Sequence, residues 1–315
     1  MTGGETGWRL ACPGCRAEMG AVPPTVPGSG PEARTCPGCH ARYERVDGVW
    51  RLLTAERAAH FERFLTEYHT VRRAEGRGSG HASPYLRLPD ASPEDPLAWQ
   101  WRIRSRTWAY VARHVVAGLE PGALVADVGA GVGWLSHRLA LAGHRPCAID
   151  LSVDGLDGLG AARHYPGSWP RLQAEMDRLP LAGAQADLVV FNASLHYSTD
   201  YATTLREARR VVRRGGRIVV LESPVYHREA SGRQMVAERH ADFEARFGTR
   251  SDAVASREFL TDGELAQLAG ELGWRWEIGR PWYGWRWAAR PYEARLRRRR
   301  EPSRFLVLTA RVDDP

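Results

Sequence analysis

The chain has 315 residues, is 43% hydrophobic and carries a formal net charge of +7, enough for one substantial domain and a small accessory module. Its apolar runs are short and broken by charge, and it opens on Thr, Gly and Glu instead of a basic then apolar stretch. This excludes a spanning helix, argues against a secretory signal and gives the expectation of a cytoplasmic protein with no membrane partner. The basic excess suits a nucleic-acid partner or a solvated arginine face such as 295–300.

Four of the five cysteines form two identical knuckles, Cys12-Pro13-Gly14-Cys15 and Cys36-Pro37-Gly38-Cys39. The glycines are expected to let each turn close so that both thiolates face one point. Four thiolates complete a tetrahedral structural zinc site with no open position, so Zn2+ is predicted on Cys12, Cys15, Cys36 and Cys39. A redox dithiol is the competing reading. The Pro- and Gly-rich segment 22–31 reads as a loop, and 43–53 as a short strand pair. A module this small needs its metal. Residues 10–15, 36–39, Tyr43 and the 47–53 tail resemble the small zinc-ribbon domain found alone as a methyltransferase partner and fused ahead of some bacterial enzymes. That resemblance implies a zinc-ribbon module over 1–53. In zinc-containing rRNA methyltransferases such a module helps to hold RNA, but the scarcity of basic charge between these knuckles weakens that reading.

Downstream, Ala58, Phe61, Phe64, Leu65 and Tyr68 recur at helical spacing, predicting an amphipathic helix over 54–71. Residues 72–96, punctuated by Gly76, Gly78, Gly80, Pro84, Pro89, Pro93 and Pro96, read as a long loop, either a lid or a plain surface linker. A second helix is expected over 97–119. Together, 54–116 form a helical bridge to a domain over 117–315.

Residues 124–139 read as a buried strand, a tight turn and a helix. Gly129, Gly131 and Gly133 remove Cβ atoms that would keep a ligand from lying across the strand end, and the following helix offers free N–H groups. The dinucleotide pattern G-x-G-x-x-G fails in both registers, ending on Trp134 or Ser136, and the phosphate-loop pattern is absent. What remains resembles the first motif of class I S-adenosylmethionine-dependent methyltransferases of the small-molecule type. The expected fold is α/β, a doubly wound seven-stranded Rossmann-like sheet.

The resemblance implies S-adenosyl-L-methionine as cofactor. Asp127 would orient its amino-acid portion, the turn Gly129, Ala130, Gly131 and Gly133 would cradle it, and Asp150, with Leu151 beside it, would bind the ribose from the end of the second strand. Glu175 and Met176 would enclose the adenine, with Asp177 as competitor to Glu175. Arg102 or Arg106 would sit near the cofactor carboxylate. The fourth strand, 186–194, carries Asn192 at its end, and Asn192, His196 and Tyr197 are the candidate catalytic residues. An imidazole near its normal pKa could act as general base; the alternative is that His196 only lines the pocket.

A helix over 201–214 ended by Gly215 and Gly216, a strand over 217–222, a helix within 256–274 and a closing strand over 305–311 complete the expected order, with the last strand at the sheet edge as the resemblance implies. Five of the twelve tryptophans fall in 274–292, with Tyr283 and Tyr292, where they read as an aromatic acceptor pocket, as core, or as a base-stacking platform. The base-amine motif Asn/Asp-Pro-Pro-Tyr/Phe is absent. The favoured reading is therefore methyl transfer to a small-molecule acceptor; the alternative is an RNA methyltransferase that holds RNA with the zinc module and basic surface.

Overall fold

The computed structural model describes residues 7–24, 30 and 32–312, so most of the loop expected at 22–31 lies outside the described residues. The chain begins with β1 (Trp8–Ala11) and β2 (Glu18–Val22), an antiparallel pair. Next come β3 (Glu32–Thr35), β4 (Arg42–Val46) and β5 (Val49–Arg51), an antiparallel meander that contains the strand pair expected at 43–53. Helices α1 (Ala55–Ala74), α2 (Ala82–Arg87) and α3 (Ala98–His114) follow. The expected helices at 54–71 and 97–119 are thus present. The stretch read as loop contains α2, held by buried Tyr85, whose hydroxyl donates to the Leu156 carbonyl at 2.6 Å.

The central part alternates β6 (Leu124–Val128), α4 (Trp134–Leu141), β7 (Arg145–Asp150), β8 (Arg171–Gln173), β9 (Ala186–Asn192), α5 (Tyr201–Val211) and β10 (Val212–Tyr226). Then come α6 (Glu229–Phe247), β11 (Leu260–Thr261), α7 (Asp262–Leu272), β12 (Glu277–Gly279), α8 (Trp285–Leu296) and β13 (Arg304–Arg311). The sheet runs β12-β13-β10-β9-β6-β7-β8-β5-β4-β3. From β8 to β10 neighbouring strands are parallel, and β13 is antiparallel to both β10 and β12. Two connected βα layers wind outward from β6, so the strand order reverses between β6 and β9, where a doubly wound sheet opens a ligand crevice.

Side chains of β6 alternate between two buried clusters. Leu124, Ala126 and Val128 pack with Leu172, Phe191 and the first strands, whereas Val125 packs with Trp134, Leu135 and Leu139 of α4. Three expectations about the second half are corrected. The closing strand is interior, because β12, a short strand with weak alternation, takes the edge. Gly215 and Gly216 lie within β10, with the Gly215 N–H donating to Val312. Helices α6 and α8 occupy stretches that the sequence reading left without an element. No helix among the described residues is long and apolar enough to cross a membrane.

Strands β3 to β5 are continuous with this sheet, whereas β1 and β2 form a separate pair beside it. Trp50 and Arg51 of β5 pair in parallel with Leu172 and Gln173 of β8, and the Ala11 N–H donates to the Pro180 carbonyl at 3.1 Å.

Candidate active site

At the carboxyl end of β6 the backbone must turn sharply beneath β9. Gly129 has φ +76°, and a Cβ there would lie 2.1 Å from that of Ser194. Gly129 and Ala130 donate their N–H groups to the Ile149 carbonyl at 2.8 and 3.0 Å, tying the turn to β7. Gly131 has φ +53°, and a Cβ there would meet nothing within 4 Å, so this glycine leaves open space and not room for a neighbour. Gly133 caps α4 and is outside the cavity.

A cavity of about 360 Å³ opens at this turn. It brings together Gly129, Ala130, Gly131, Asp150, Leu151, Glu175, Met176, Asn192, His196 and Tyr197, contributed by the ends of β6, β7 and β9 and the segment after β8. Asp127 is not in its lining. That carboxylate is fully buried and accepts from the Ser136 N–H at 3.1 Å and hydroxyl at 2.7 Å, bracing the start of α4. Burial pushes its pKa up to about 7, and its Oδ1 has no partner among the described residues.

Asp150 accepts from the Gly131 N–H at 2.8 Å and the Ser152 N–H at 2.7 Å, which holds the carboxylate at the turn. Burial raises its pKa despite those two bonds. Glu175 faces the cavity but is already engaged: the Arg57 guanidinium donates to its two oxygens at 2.9 and 2.6 Å. Asp177 also lines the cavity and makes no ion pair among the described residues; burial, and then the charge of Glu175, raise its pKa.

His196 departs from the sequence reading. It lies in a short 3-10 turn, its ring 4.6 Å from that of Tyr197 and its Nδ1 3.4 Å from the Ser223 hydroxyl. Burial, then the charges of Arg239 and Arg104, lower its pKa to about 3. The imidazole is therefore neutral at pH 7 but a weak proton acceptor, and the expectation of a near-normal pKa is not met.

The outer wall comes from α1 and α3. Phe61, Phe64, Leu65 and Tyr68 of α1 face inward, with Arg57 and Arg72 a turn to either side. Arg72 pairs with Asp157 and lies 5.1 Å from the Tyr68 ring. From α3 come Gln100, Trp101 and Arg104. Arg102 and Arg106 are exposed; Arg104 is the arginine at the cavity, because its position on α3 is the one shared with buried Trp101 and Thr107. It lies 4.6 Å from the Trp101 ring and 3.5 Å from Glu222.

Arg57, Arg72 and Arg104 were not recognised from the sequence. For the first two a signal exists, since they continue the 61, 64, 65, 68 face of α1. The tryptophan-rich segment does not line the cavity. Trp274 and Trp276 pack against the core, while Trp282 and Trp285 are exposed.

The four cysteines converge, with all Sγ atoms within 4.8 Å of one another. Cys12 and Cys39 lie 3.6 Å apart, and Cys15 and Cys36 3.4 Å. Thiolates around a tetrahedral zinc stand ~3.8 Å apart, so the donor set fits that ion. The knuckles repeat one backbone pattern: Cys12 N–H to Ala17 and Arg16 N–H to Cys12, then Cys36 N–H to Ala41 and His40 N–H to Cys36. The left-handed residues are Arg16 and His40, not the glycines as expected. Gly38 instead supplies room, since a Cβ there would approach the Cys15 sulfur to 3.1 Å.

A doubly wound sheet whose order reverses beside a glycine turn, with acidic groups at successive strand ends, defines a ligand-binding α/β domain. Residues 126–220 match the family model described as a methyltransferase domain. Malonyl-[acyl-carrier protein] O-methyltransferase of Hahella chejuensis is 31% identical over 158 residues, 49% of this chain and 51% of that protein. Demethylmenaquinone methyltransferase of Mycolicibacterium vanbaalenii is 35% identical over 119 residues, 38% of this chain and 50% of that protein. The chain spans about half the length of these curated relatives. Among solved structures, magnesium protoporphyrin IX methyltransferase of Synechocystis aligns with TM-score 0.49 and 18% identity, covering 81% of this chain and 97% of that one.

Proposed function

We propose that the protein is a cytoplasmic class I S-adenosylmethionine-dependent methyltransferase acting on a small-molecule acceptor, with a zinc-ribbon module (1–53), a helical bridge that serves as lid (54–116) and a catalytic domain (117–315). The observation that carries this reading is the single cavity uniting the Gly129 to Gly131 turn, Asp150, Asp177 and the Asn192, His196, Tyr197 cluster. The names of the matched relatives, which refer to malonyl-[acyl-carrier protein] and demethylmenaquinone, support an acceptor other than nucleic acid. The zinc ion, on its four cysteines, has a structural role.

The open space above Gly131 admits a ligand against the backbone, and Asp150 presents a carboxylate that accepts two hydroxyl protons. With Glu175 engaged by Arg57, Asp177 is the carboxyl left to accept from an amino group at the adenine end. Arg104 presents its guanidinium to a carboxylate at the other end. Bound here, S-adenosylmethionine supplies an electrophilic methyl on its sulfonium. Asn192 and Tyr197 orient the acceptor against it, with Phe64 and Tyr68 excluding water, so most of the rate enhancement is positioning. His196 holds this cluster as a neutral group.

Asp150→Ala is expected to weaken S-adenosylmethionine binding by about 1.5 to 3 kcal/mol, the worth of charge-assisted hydrogen bonds. Calorimetric titration checks this, and an unchanged affinity would reject the ribose assignment. Radiolabelled methyl transfer to a fractionated extract, with and without nuclease, tests the whole reading; incorporation abolished by nuclease would overturn the small-molecule acceptor. His196→Gln should lower turnover by less than the roughly 10²- to 10⁴-fold expected on losing a general base, and its pH–rate profile should superimpose on the wild type's between about pH 6 and 8. Loss of a wild-type inflection in the variant would restore His196 as the base.

A further inference from the structure

Helix α8 has no buried residue. Trp285 is 82% exposed, Tyr292 75% and Leu296 85%. These three residues and Ala289 recur at helical spacing and so form one apolar stripe along the helix. The helix is held from its other side: Trp287 packs 5.3 Å from the Phe305 ring, and the Arg290 guanidinium donates to the Ser303 carbonyl at 2.7 Å. The stripe therefore points away from the body of the protein. Trp282, 56% exposed and 4.9 Å from Trp285, extends it at the amino end.

Charge flanks the stripe. Residues 285–300 hold seven arginines and one glutamate, so six of the chain's formal net charge of +7 are concentrated on this helix and the turn after it. Arg286, Arg295, Arg297, Arg298 and Arg299 are exposed, and no side-chain ion pair or hydrogen bond engages them among the described residues. Exposed Trp, Tyr and Leu between arginines are what an anionic lipid surface receives: aromatic rings at headgroup depth, an aliphatic side chain in the acyl boundary, and guanidinium groups on phosphates. Single-stranded nucleic acid would use the rings and arginines but has no place for Leu296.

The position of the helix agrees with this. Arg304, at the start of β13, pairs with Val225 at the carboxyl end of β10, so the strand that follows α8 enters the sheet at the end where the cavity opens. The amino end of α8 is tied to α3, whose Thr107 hydroxyl lies 2.9 Å from that of Tyr283. We propose that the Trp285, Tyr292, Leu296 stripe of α8, with Arg286, Arg295 and Arg297 to Arg299 beside it, docks the protein peripherally on an anionic phospholipid surface. Such docking needs no spanning helix, so the absence of an apolar run in the sequence did not bear on it.

Sedimentation of the full chain with phosphatidylglycerol vesicles, and separately with phosphatidylcholine vesicles, tests the proposal. The expected result is capture by the anionic vesicles that weakens with salt and is at least about tenfold poorer on the neutral ones. Trp285→Ser with Tyr292→Ser and Leu296→Ser should lower capture by about tenfold or more. A separate variant, Arg297→Glu with Arg298→Glu and Arg299→Glu, should do the same while leaving thermal unfolding and S-adenosylmethionine affinity unchanged. Absence of capture, or equal capture of wild type and both variants, would overturn the proposal. So would two other results. One is binding of a single-stranded RNA, but not vesicles, that is lost in the arginine variant; the other is a lipid-independent dimer lost in the stripe variant, which would assign the face to a second copy.

Discussion

Gly131→Val is expected to reduce S-adenosylmethionine affinity by about 10- to 100-fold, the range for forcing extra methyl groups into occupied space. A Cβ at this position meets no protein atom within 4 Å, so the side chain enters the cavity instead of the core. Its φ of +53° adds a strain of about 1 to 2 kcal/mol for a residue with a Cβ, which lowers stability without removing the fold. Gly129→Ala provides the contrast, because its Cβ would collide with Ser194 and the damage would appear first in the thermal transition. Calorimetry and scanning calorimetry on both variants separate the two effects. Unchanged affinity in the Gly131 variant would mean that the cofactor does not cross this turn.

Removal of zinc is expected to lower the thermal transition by about 10 °C or more and to weaken S-adenosylmethionine binding as a consequence. Closing small modules on zinc is worth about 10 to 16 kcal/mol in isolation, and a few kcal/mol lost from a domain of this size moves Tm by that much. The coupling is structural. Trp8, Leu10, Cys12, Cys36 and Tyr43 share one buried cluster with Leu172, Leu179 and Leu181, and the Leu52 N–H donates to the Gln173 carbonyl at 3.0 Å. Loosening the knuckles therefore loosens the segment that carries Glu175 and Asp177. Metal analysis together with scanning calorimetry of Cys36→Ser and of chelated wild type checks this; transitions that superimpose on the zinc-replete protein would refute it.

The parts of the site legible in the sequence are those whose chemistry is local. A glycine turn between a strand and a helix, a carboxylate at the next strand end and paired cysteines each declare themselves within a few residues. The polar contacts that decide what those groups do are distant in sequence. Arg57 reaches Glu175 across more than a hundred residues, and Arg104 was passed over for neighbours on the same helix because the helix's rotation about its axis is set by how Trp101 and Thr107 bury. Burial likewise decided His196, whose lowered pKa arises from three-dimensional neighbours that no spacing reveals. Helix α6 carries apolar residues too sparse to form a strong stripe. Helix α8 lies in the aromatic-rich run, which reads as pocket, core or stacking platform, because its apolar stripe looks outward and not toward the core that a helical period usually marks.

The parallel pairing of β5 with β8 joins residues 50 and 51 to residues 172 and 173. On a chain made from its amino end, the knuckles and their meander can close as soon as they are synthesised, yet one edge must wait, unpaired, until the strands of the central sheet have followed. An edge held open through that interval is a template for pairing with the wrong chain. The same geometry works in reverse in the finished protein, where the module covers the β8 edge. A truncation that begins at α1 would leave that three-residue edge bare, and its first symptom would be association between chains during expression.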